Sequence, residues 1–319
     1  MCQRATARGV RVNDLALVSG SSHPALAGRI GEALGVDLVD VRSKRFPDGE
    51  LDVSVDPAVR GCDVYVVQAL GPPVNEHLIE LLLLADACRR ANARRLTAVI
   101  PYLGYARKDR RTNPGDAVGL AVVADLLGPS RIDRAVLVDP HVAQTDSIFR
   151  VPLEVVSGMQ PIAEELRGSI GEEAVVVAPD LGAVALAERY ARELGIDEMS
   201  VVRKTRVTGS EVSVAGLVGD GVDRSPIIVD DMISTGGTIA AAVRLLREQG
   251  SPERIVVAAT HGVFVEGAVD ALMSLQIERL VVSDSLPNAD LPSQVTVVGL
   301  AQTLADRILR LSEPGHSSR

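Results

Sequence analysis

Residues 227–238 read Ile-Ile-Val-Asp-Asp-Met-Ile-Ser-Thr-Gly-Gly-Thr, and helical periodicity follows over 239–248. An apolar run thus ends in two adjacent carboxylates, Asp230 and Asp231, and passes through hydroxyls and glycines into a helix. Backbone N–H groups at a helix start attract anions, and the helix dipole adds to that attraction. Gly236 and Gly237 let those N–H groups approach a phosphate closely, while Ser234, Thr235 and Thr238 add hydroxyl donors. A β-branched residue at 237 would obstruct that approach and tolerate a positive φ poorly. The carboxylates cannot hold phosphate; they suit the hydroxyls of a sugar, or a metal beside it. The segment therefore reads as a sugar-phosphate site. A tight strand-to-helix turn with a threonine cap accounts for the loop alone, but not for paired carboxylates at a strand end.

Five further segments carry chemistry. Phe46 stands beside Asp48 and Glu50 at a Pro-Asp-Gly turn ahead of an alternating strand at 51–55, so an exposed ring is expected there. Arg107, Lys108, Arg110 and Arg111, with Asp109 among them, follow an apolar strand and suit a polyphosphate. In an acidic chain such a cluster favours function over a merely solvated loop. His141 follows another buried strand, after Asp139 and Pro140. Asp180 ends a strand ahead of Gly182, a position that an ordinary helix cap would also fill. Lys204 and Arg206 lie in a basic stretch, Arg203 to Arg206, which an exposed hairpin would equally explain.

The elements that must position these residues are short apolar runs alternating with helical patterns. Candidate strands lie at 15–19, 38–41, 51–55, 64–68, 96–100 and 135–139, then at 174–178, 200–202, 212–218, 227–229, 255–260, 280–283 and 295–298. Most are continuous rather than alternating, as expected of parallel strands covered on both faces. The clearest helix spans 74–91, with Leu78, Leu81, Leu82 and Ala85 on one face. The pattern predicts an α/β protein with two doubly wound, mostly parallel sheets. A chain of 319 residues suits two domains. Periodicity breaks around Pro152, Gly158 and Pro161, which sets the expected domains at 1–156 and 157–319. The first dozen residues and the tail from Glu313 are expected to be disordered.

Composition narrows the functional classes. The net charge of −9 argues against broad binding to nucleic acid or a membrane surface. No apolar run approaches the roughly 18 residues of a membrane span, the richest, Leu78 to Ala87, being interrupted by Glu80 and Asp86, and Arg4, Arg8 and Arg11 precede no apolar signal region. Cys2, Cys62 and Cys88 lack metal-ligand spacing and predict reduced thiols in a cytoplasm. Aromatic content is 2 % with no Trp, so aliphatic residues must fill the core.

Taken in order from about residue 15 to about 311, these motifs resemble the ribose-phosphate diphosphokinases. The loop at 230–238 alone is also similar to that of type I phosphoribosyltransferases, whose fold both domains are then expected to share. The resemblance implies transfer of the diphosphoryl group of ATP to the anomeric hydroxyl of ribose 5-phosphate, giving 5-phosphoribosyl 1-diphosphate and AMP. It implies that Lys204 and Arg206 are catalytic, on a mobile loop. Phe46, Asp48, Glu50, Arg107, Lys108, Asp109 and His141 would bind ATP. Asp230, Asp231, Ser234, Thr235, Gly236, Gly237 and Thr238 would bind ribose 5-phosphate. His141 and Asp180 would serve Mg2+, and a homo-oligomer with the active site near a subunit interface is implied. Pro140 replaces a leucine and Ser234 an aspartate of the common pattern. The Ser-Thr-Gly-Gly form, together with Phe-Pro-Asp-Gly-Glu, resembles the archaeal-type branch. Two alternatives remain: a phosphoribosyltransferase, which needs only the second half, and a catalytically silent regulatory paralogue, against which Lys204 and Arg206 speak.

Overall fold

The computed structural model describes residues 3–7, 10–141, 145–168, 170–171, 173–208, 211–219, 224–251 and 254–313, and omits the side chains of 3–7, 10–14, 145–146, 204–208 and 211–215. The chain forms two compact units. One comprises Met1–Ser157, Ser285–Pro287 and Leu300–Arg319, and the other Gly158–Asp284 and Asn288–Gly299.

The first unit contains β1 (Gln3–Ala7), β2 (Val10–Ser19), α1 (Pro24–Leu34), β3 (Leu38–Val39), β4 (Val41–Arg45), β5 (Leu51–Val55), β6 (Asp63–Val67), α2 (Val74–Arg90), β7 (Arg95–Ile100), α3 (Gly119–Leu127), β8 (Arg134–Val138), α4 (Thr145–Ile148) and β9 (Leu153–Val156). Its sheet runs β1-β2-β6-β7-β8-β9 with β3 beside β2, and every pair except β1–β2 is parallel. Side chains along β6 alternate between two cores, as the twofold period of a strand dictates. Val64 and Val66 join Leu81 and Leu84 of α2, whereas Tyr65 and Val67 join Leu26 and Ile30 of α1. Burial on both faces is why β6 is apolar after Asp63, and β7 apart from Arg95 and Thr97. β4 and β5 form a separate antiparallel hairpin in which Arg45 faces Leu51.

The second unit contains α5 (Met159–Arg167), β10 (Ala174–Ala178), α6 (Val184–Leu194), β11 (Met199–Thr208), β12 (Glu211–Val218), β13 (Ser225–Ile233), α7 (Gly237–Glu248), β14 (Val256–Gly262), α8 (Ala268–Met273), β15 (Arg279–Ser283) and β16 (Val295–Val298). Its order is β12-β11-β10-β13-β14-β15-β16, parallel except for β11–β12. Val175 and Val177 pack under α7 and α8, and Val176 and Ala178 over α5 and α6. The expected α/β class with mostly parallel sheets is therefore the one observed.

Several expectations change. The last helix, α9 (Ala301–Ser312), belongs to the first unit: Leu304, Ala305, Ile308 and Leu311 share one core with Leu15, Leu17 and Ile30. A second domain running to residue 319 is thus replaced by one that the chain leaves before α9. The first dozen residues are not all disordered, because β1 pairs with β2 through Ala7 and Val10. Strand β9 occupies the stretch where periodicity seemed broken, since only Val156 of its four residues is fully buried. On α2, Leu84 and Cys88 rather than Leu82 complete the buried face with Leu78, Leu81 and Ala85. The thiol expectation holds for Cys88, which is free and buried, but not for Cys62, which is disulfide-bonded. The tail beyond Glu313 lies outside the described residues.

Candidate functional site

In the second unit the sequence-singled residues converge on the C-terminal edge of the sheet, where open α/β sheets hold ligands. Register fixes this. Val177 pairs with Ile228, and Ala178 with Val201. Asp230 on β13, Asp180 after β10 and Lys204 on β11 therefore lie at similar heights, beyond the last residues at which β10 pairs with its neighbours. β10 stops pairing with β11 at Val201, and Lys204 and Arg206 continue on a two-stranded ribbon opposite Val214 and Val212. A register shift between Arg203 and Lys204 re-aims the ribbon there, as bulges beside functional sites commonly do. The Lys204 and Arg206 side chains lie outside the described residues.

Electrostatics mark the same edge. Burial, then the neighbouring Asp231 carboxylate, and more weakly Asp180, push the Asp230 carboxyl up to about 8. Asp180 also accepts an N–H from Gly182 at 2.9 Å, so the capping role and a place in the acidic group coexist. Strand β13 extends through Ile233, four residues beyond the predicted apolar run, and so carries both aspartates on strand backbone rather than on the loop.

After β13 the chain turns through Ser234, Thr235 and Gly236 into α7, which starts at Gly237, two residues earlier than expected. The positive φ falls on Gly236 (+74°), not on Gly237. A Cβ at Gly236 would lie 3.0–3.1 Å from the Leu272 side chain, so a side chain there would be strained by its conformation and would press on Leu272. At Gly237 a Cβ would meet only Thr235 Oγ1, at 3.5 Å. No side chain caps α7. Its first-turn amides, which no intrahelical carbonyl can satisfy, are thus presented at the loop, Gly237 N–H bonding weakly to Thr235 Oγ1 at 3.3 Å. Backbone bonds from Val263 and Phe264 to the Ile233 carbonyl, and from Val265 to that of Ser234, tether the loop to the segment after β14.

In the first unit, Phe46 is 51 % exposed at the tip of the β4–β5 hairpin. Phe46 N–H bonds to the Glu50 carbonyl at 2.8 Å, Gly49 N–H to the Phe46 carbonyl at 2.9 Å, and Glu50 N–H to Asp48 Oδ1 at 3.2 Å. The tight turn thus presents the ring instead of competing with that role. Beyond β7, Arg107, Arg110 and Arg111 are exposed. Lys108 differs: its Nζ lies 2.8 Å from Asp116 Oδ2, which also accepts N–H bonds from Thr112 and Asn113. Lys108, followed by those two amides, holds the Asp116 carboxyl down at about 2. Lys108 thus closes the loop, beside the exposed arginines. Asp109 is half-buried beside it. His141 is exposed just past β8, behind Asp139, which adopts φ +31°.

One constellation escaped sequence reasoning. Glu80, which looked like an interruption of an apolar run, is 2 % exposed on α2. Its carboxylate accepts hydrogen bonds from the Ser21 N–H and hydroxyl and from Gln68 Nε2 at 2.8 Å. Only its four-residue spacing from the buried Leu84 hinted at this.

Among the described residues no helix is long and apolar enough to cross a membrane, and no group of three or more His, Cys, Asp or Glu is placed to hold a metal by itself.

Comparison with known proteins accounts for both units. Residues 15–130 match the family model of the N-terminal domain of ribose phosphate pyrophosphokinase, and residues 144–268 the phosphoribosyl transferase domain. A ribose-phosphate pyrophosphokinase of Nostoc is 40 % identical over 311 residues, covering 97 % of this chain and 94 % of its own. One from Prochlorococcus marinus is 38 % identical over 316 residues, covering 97 % and 96 %. The crystal structure of phosphoribosylpyrophosphate synthetase from Mycobacterium smegmatis superposes with a TM-score of 0.86 at 36 % identity, covering 94 % of this chain and 99 % of that one.

Proposed function

The chain belongs to the ribose-phosphate pyrophosphokinase family, and from that premise we propose how its own residues carry the diphosphoryl group of ATP to the anomeric hydroxyl of ribose 5-phosphate, the reaction of that family. The products are 5-phosphoribosyl 1-diphosphate and AMP. A bond forms between the anomeric oxygen and the β-phosphorus, and the bond from that phosphorus to the α-phosphate oxygen breaks. Such transfers need in-line positioning and charge neutralisation more than covalent help.

The first-turn amides of α7, with Ser234, Thr235 and Thr238, hold the 5-phosphate, and Gly236 shapes the turn that exposes them. Asp230 and Asp231 hold the ribose hydroxyls. The single observation that carries this assignment is the meeting of an uncapped helix start with a carboxylate pair at one strand end. Phe46 stacks on adenine, with Asp48 and Glu50 beside it, while Arg107 meets the polyphosphate. Lys108 and Asp109, in the same loop, complete the ATP-binding set. Lys204 and Arg206 neutralise the charge that builds on the transferring group.

Mg2+ suits the acidic edge, because after burial it is the neighbouring carboxylates that push the Asp230 carboxyl upward, and a divalent cation offsets that repulsion. Magnesium binds through one or two carboxylates and completes its shell with phosphate oxygens and water, so a ready-made cage is not required. Asp180 is the proposed carboxylate ligand and His141 the proposed contact on the nucleotide side. When bound, the ion supplies neutralisation of phosphate charge. Family membership also supports an active homo-oligomer with the site near a subunit interface, and a cytoplasmic location.

The phosphoribosyltransferase alternative leaves the first unit without a purpose, and retention of Lys204 and Arg206 speaks against the silent paralogue. The test is AMP release from Mg-ATP and ribose 5-phosphate by the purified protein, with 5-phosphoribosyl 1-diphosphate followed by phosphorus NMR. Lys204→Ala should lower kcat by about 10²–10³, by analogy with loss of one transition-state donor, with little change in either KM. No AMP release by the wild-type protein would overturn the assignment, and near-normal turnover by the variant would remove Lys204 from the mechanism.

A further inference from the structure

Each unit repeats one connectivity within its own sheet. In the first, β2 leads through α1 to β3 on one side of β2, and β6 then pairs on the other side. In the second, β10 leads through α6 to β11 on one side of β10, and β13 pairs on the other. The pairs β2–β6 and β10–β13 are therefore the switch points, beyond whose strand ends open α/β sheets hold ligands. Register sets the correspondence. Val18 pairs with Val66, both in the core under α2, and Val177 pairs with Ile228, both in the core under α7. Two residues past Val66 and Ile228 stand Gln68 and Asp230, and three past Val18 and Val177 stand Ser21 and Asp180.

The two places are furnished differently. In the second unit both positions are carboxylates, and α7 carries only apolar side chains from Ile239 to Val243. In the first unit both are neutral donors, and the helix after β6 sends Glu80 between them. Its buried carboxylate takes the Ser21 N–H at 3.2 Å on each oxygen, the Ser21 hydroxyl, and Gln68 Nε2 at 2.8 Å. The donor sense of Gln68 is fixed. Its Oε1 accepts from the Ser22 N–H at 3.1 Å and from the Ser22 hydroxyl at 2.8 Å, and that hydroxyl oxygen in turn accepts the Ala69 N–H at 2.7 Å. The amide nitrogen is left to face Glu80 and the His77 carbonyl. Gly20 makes room for this arrangement, since a Cβ there would lie 2.1 Å from Gln68 Oε1.

We propose that the first unit carries an anion cradle at its switch point, made of the Ser21 amide and hydroxyl and the Gln68 amide, and that Glu80 is its resident ligand. The chain thus supplies its own carboxylate at the place where the second unit has no such side chain. A small free carboxylate such as formate belongs to the same class and fits the cradle once the Glu80 side chain is removed. Filling the cradle from within leaves one ribose 5-phosphate site per chain, a consequence that rests on the assignment of that substrate to the second unit.

The experiment is thermal melting of Glu80→Ala and Glu80→Gln with sodium formate, against sodium chloride at equal ionic strength. Glu80→Ala strips three donors of their acceptor, and its midpoint should fall by about 10 °C. Formate at about ten times its half-saturating concentration should restore about 4 °C of that loss, and should leave wild type unmoved. Glu80→Gln keeps the shape but sets an amide N–H against the Ser21 N–H. It should lose about half as much as the alanine variant, and formate should not restore it, because no vacancy exists. If Glu80→Ala is obtained only by refolding, the yield of folded protein in formate against chloride reads the same binding. A formate effect on Glu80→Ala that is absent, or no larger than on wild type, would overturn the cradle. So would melting of Glu80→Gln at the wild-type temperature. Calorimetric titration of the wild-type protein with ribose 5-phosphate should give one site per chain, and two would show that the first unit is not closed. No binding at all would count against the assignment to the second unit, while recovery in formate still decides the cradle.

Discussion

Gly236 and Gly237 are chemically identical, yet only one needs to be glycine for conformational reasons. Gly236 takes φ +74° against Leu272, whereas Gly237 opens α7 with ordinary helical geometry. Gly236→Ala places a side chain in the left-handed region, at about 1–2 kcal/mol, and adds the Leu272 contact. It should lower the melting temperature and raise KM for ribose 5-phosphate. Gly237→Ala should melt as wild type does. Equal melting of the two variants would contradict the assignment of strain to Gly236. Asp230 supplies a second test at the same scale. Its folded-state pKa of about 8 lies above the roughly 3.9 of an unfolded aspartate. The folded protein therefore binds the extra proton across that window, and stability conferred at low pH is lost as pH rises from about 4 to about 8. In a chelator, Asp230→Asn should melt higher than wild type at pH 8 and much like it at pH 4. A difference of the same size at both pH values would show that the carboxyl titrates normally.

Strand ends were legible element by element because parallel strands buried on both faces announce themselves as apolar runs, and their C-terminal ends are where chemistry collects. That reasoning placed Asp180, Asp230 and Asp231 on one edge, and Phe46 on an exposed turn. It missed β9, whose residues are mostly half-buried and so carry no clear period. It took Glu80 for an interruption, since a buried carboxylate satisfied by Ser21 and Gln68 depends on partners 59 and 12 residues away. It did not show that Lys108 also pairs with Asp116, because the turn that returns Asp116 to it is a three-dimensional fact. Helix α9 shows the same limit: its amphipathic period predicts a buried face, not which core receives it. Leu304, fully buried with Leu15 and Ile30, offers the check. Leu304→Ala should destabilise the protein by about 2–5 kcal/mol, read by denaturant unfolding. A loss below about 0.5 kcal/mol, the range of surface substitutions, would detach α9 from that core.

Across the whole molecule the charge is −9, while the cations proposed to meet anionic substrates lie at Arg107, Lys108, Arg110 and Arg111 and on the β11 ribbon. An acidic body with local basic edges draws a polyphosphate to those edges and leaves the rest of the surface inert to it. The path of the backbone has a different consequence, one that concerns synthesis. The chain finishes the second unit at Gly299 and only then adds the helix that closes the first. Domains of a growing chain generally fold in order of emergence, but here the half translated first has to wait. Its β-strands leave the ribosome early, with the apolar face meant for α9 still bare, and they stay that way while some 140 further residues are made, a span given by Gly158–Gly299. At about 5–20 residues per second that interval lasts on the order of ten seconds. A premature stop just before residue 300 would therefore release an intact later half joined to an earlier half with no lid on its core, a product for chaperones and proteases to recognise.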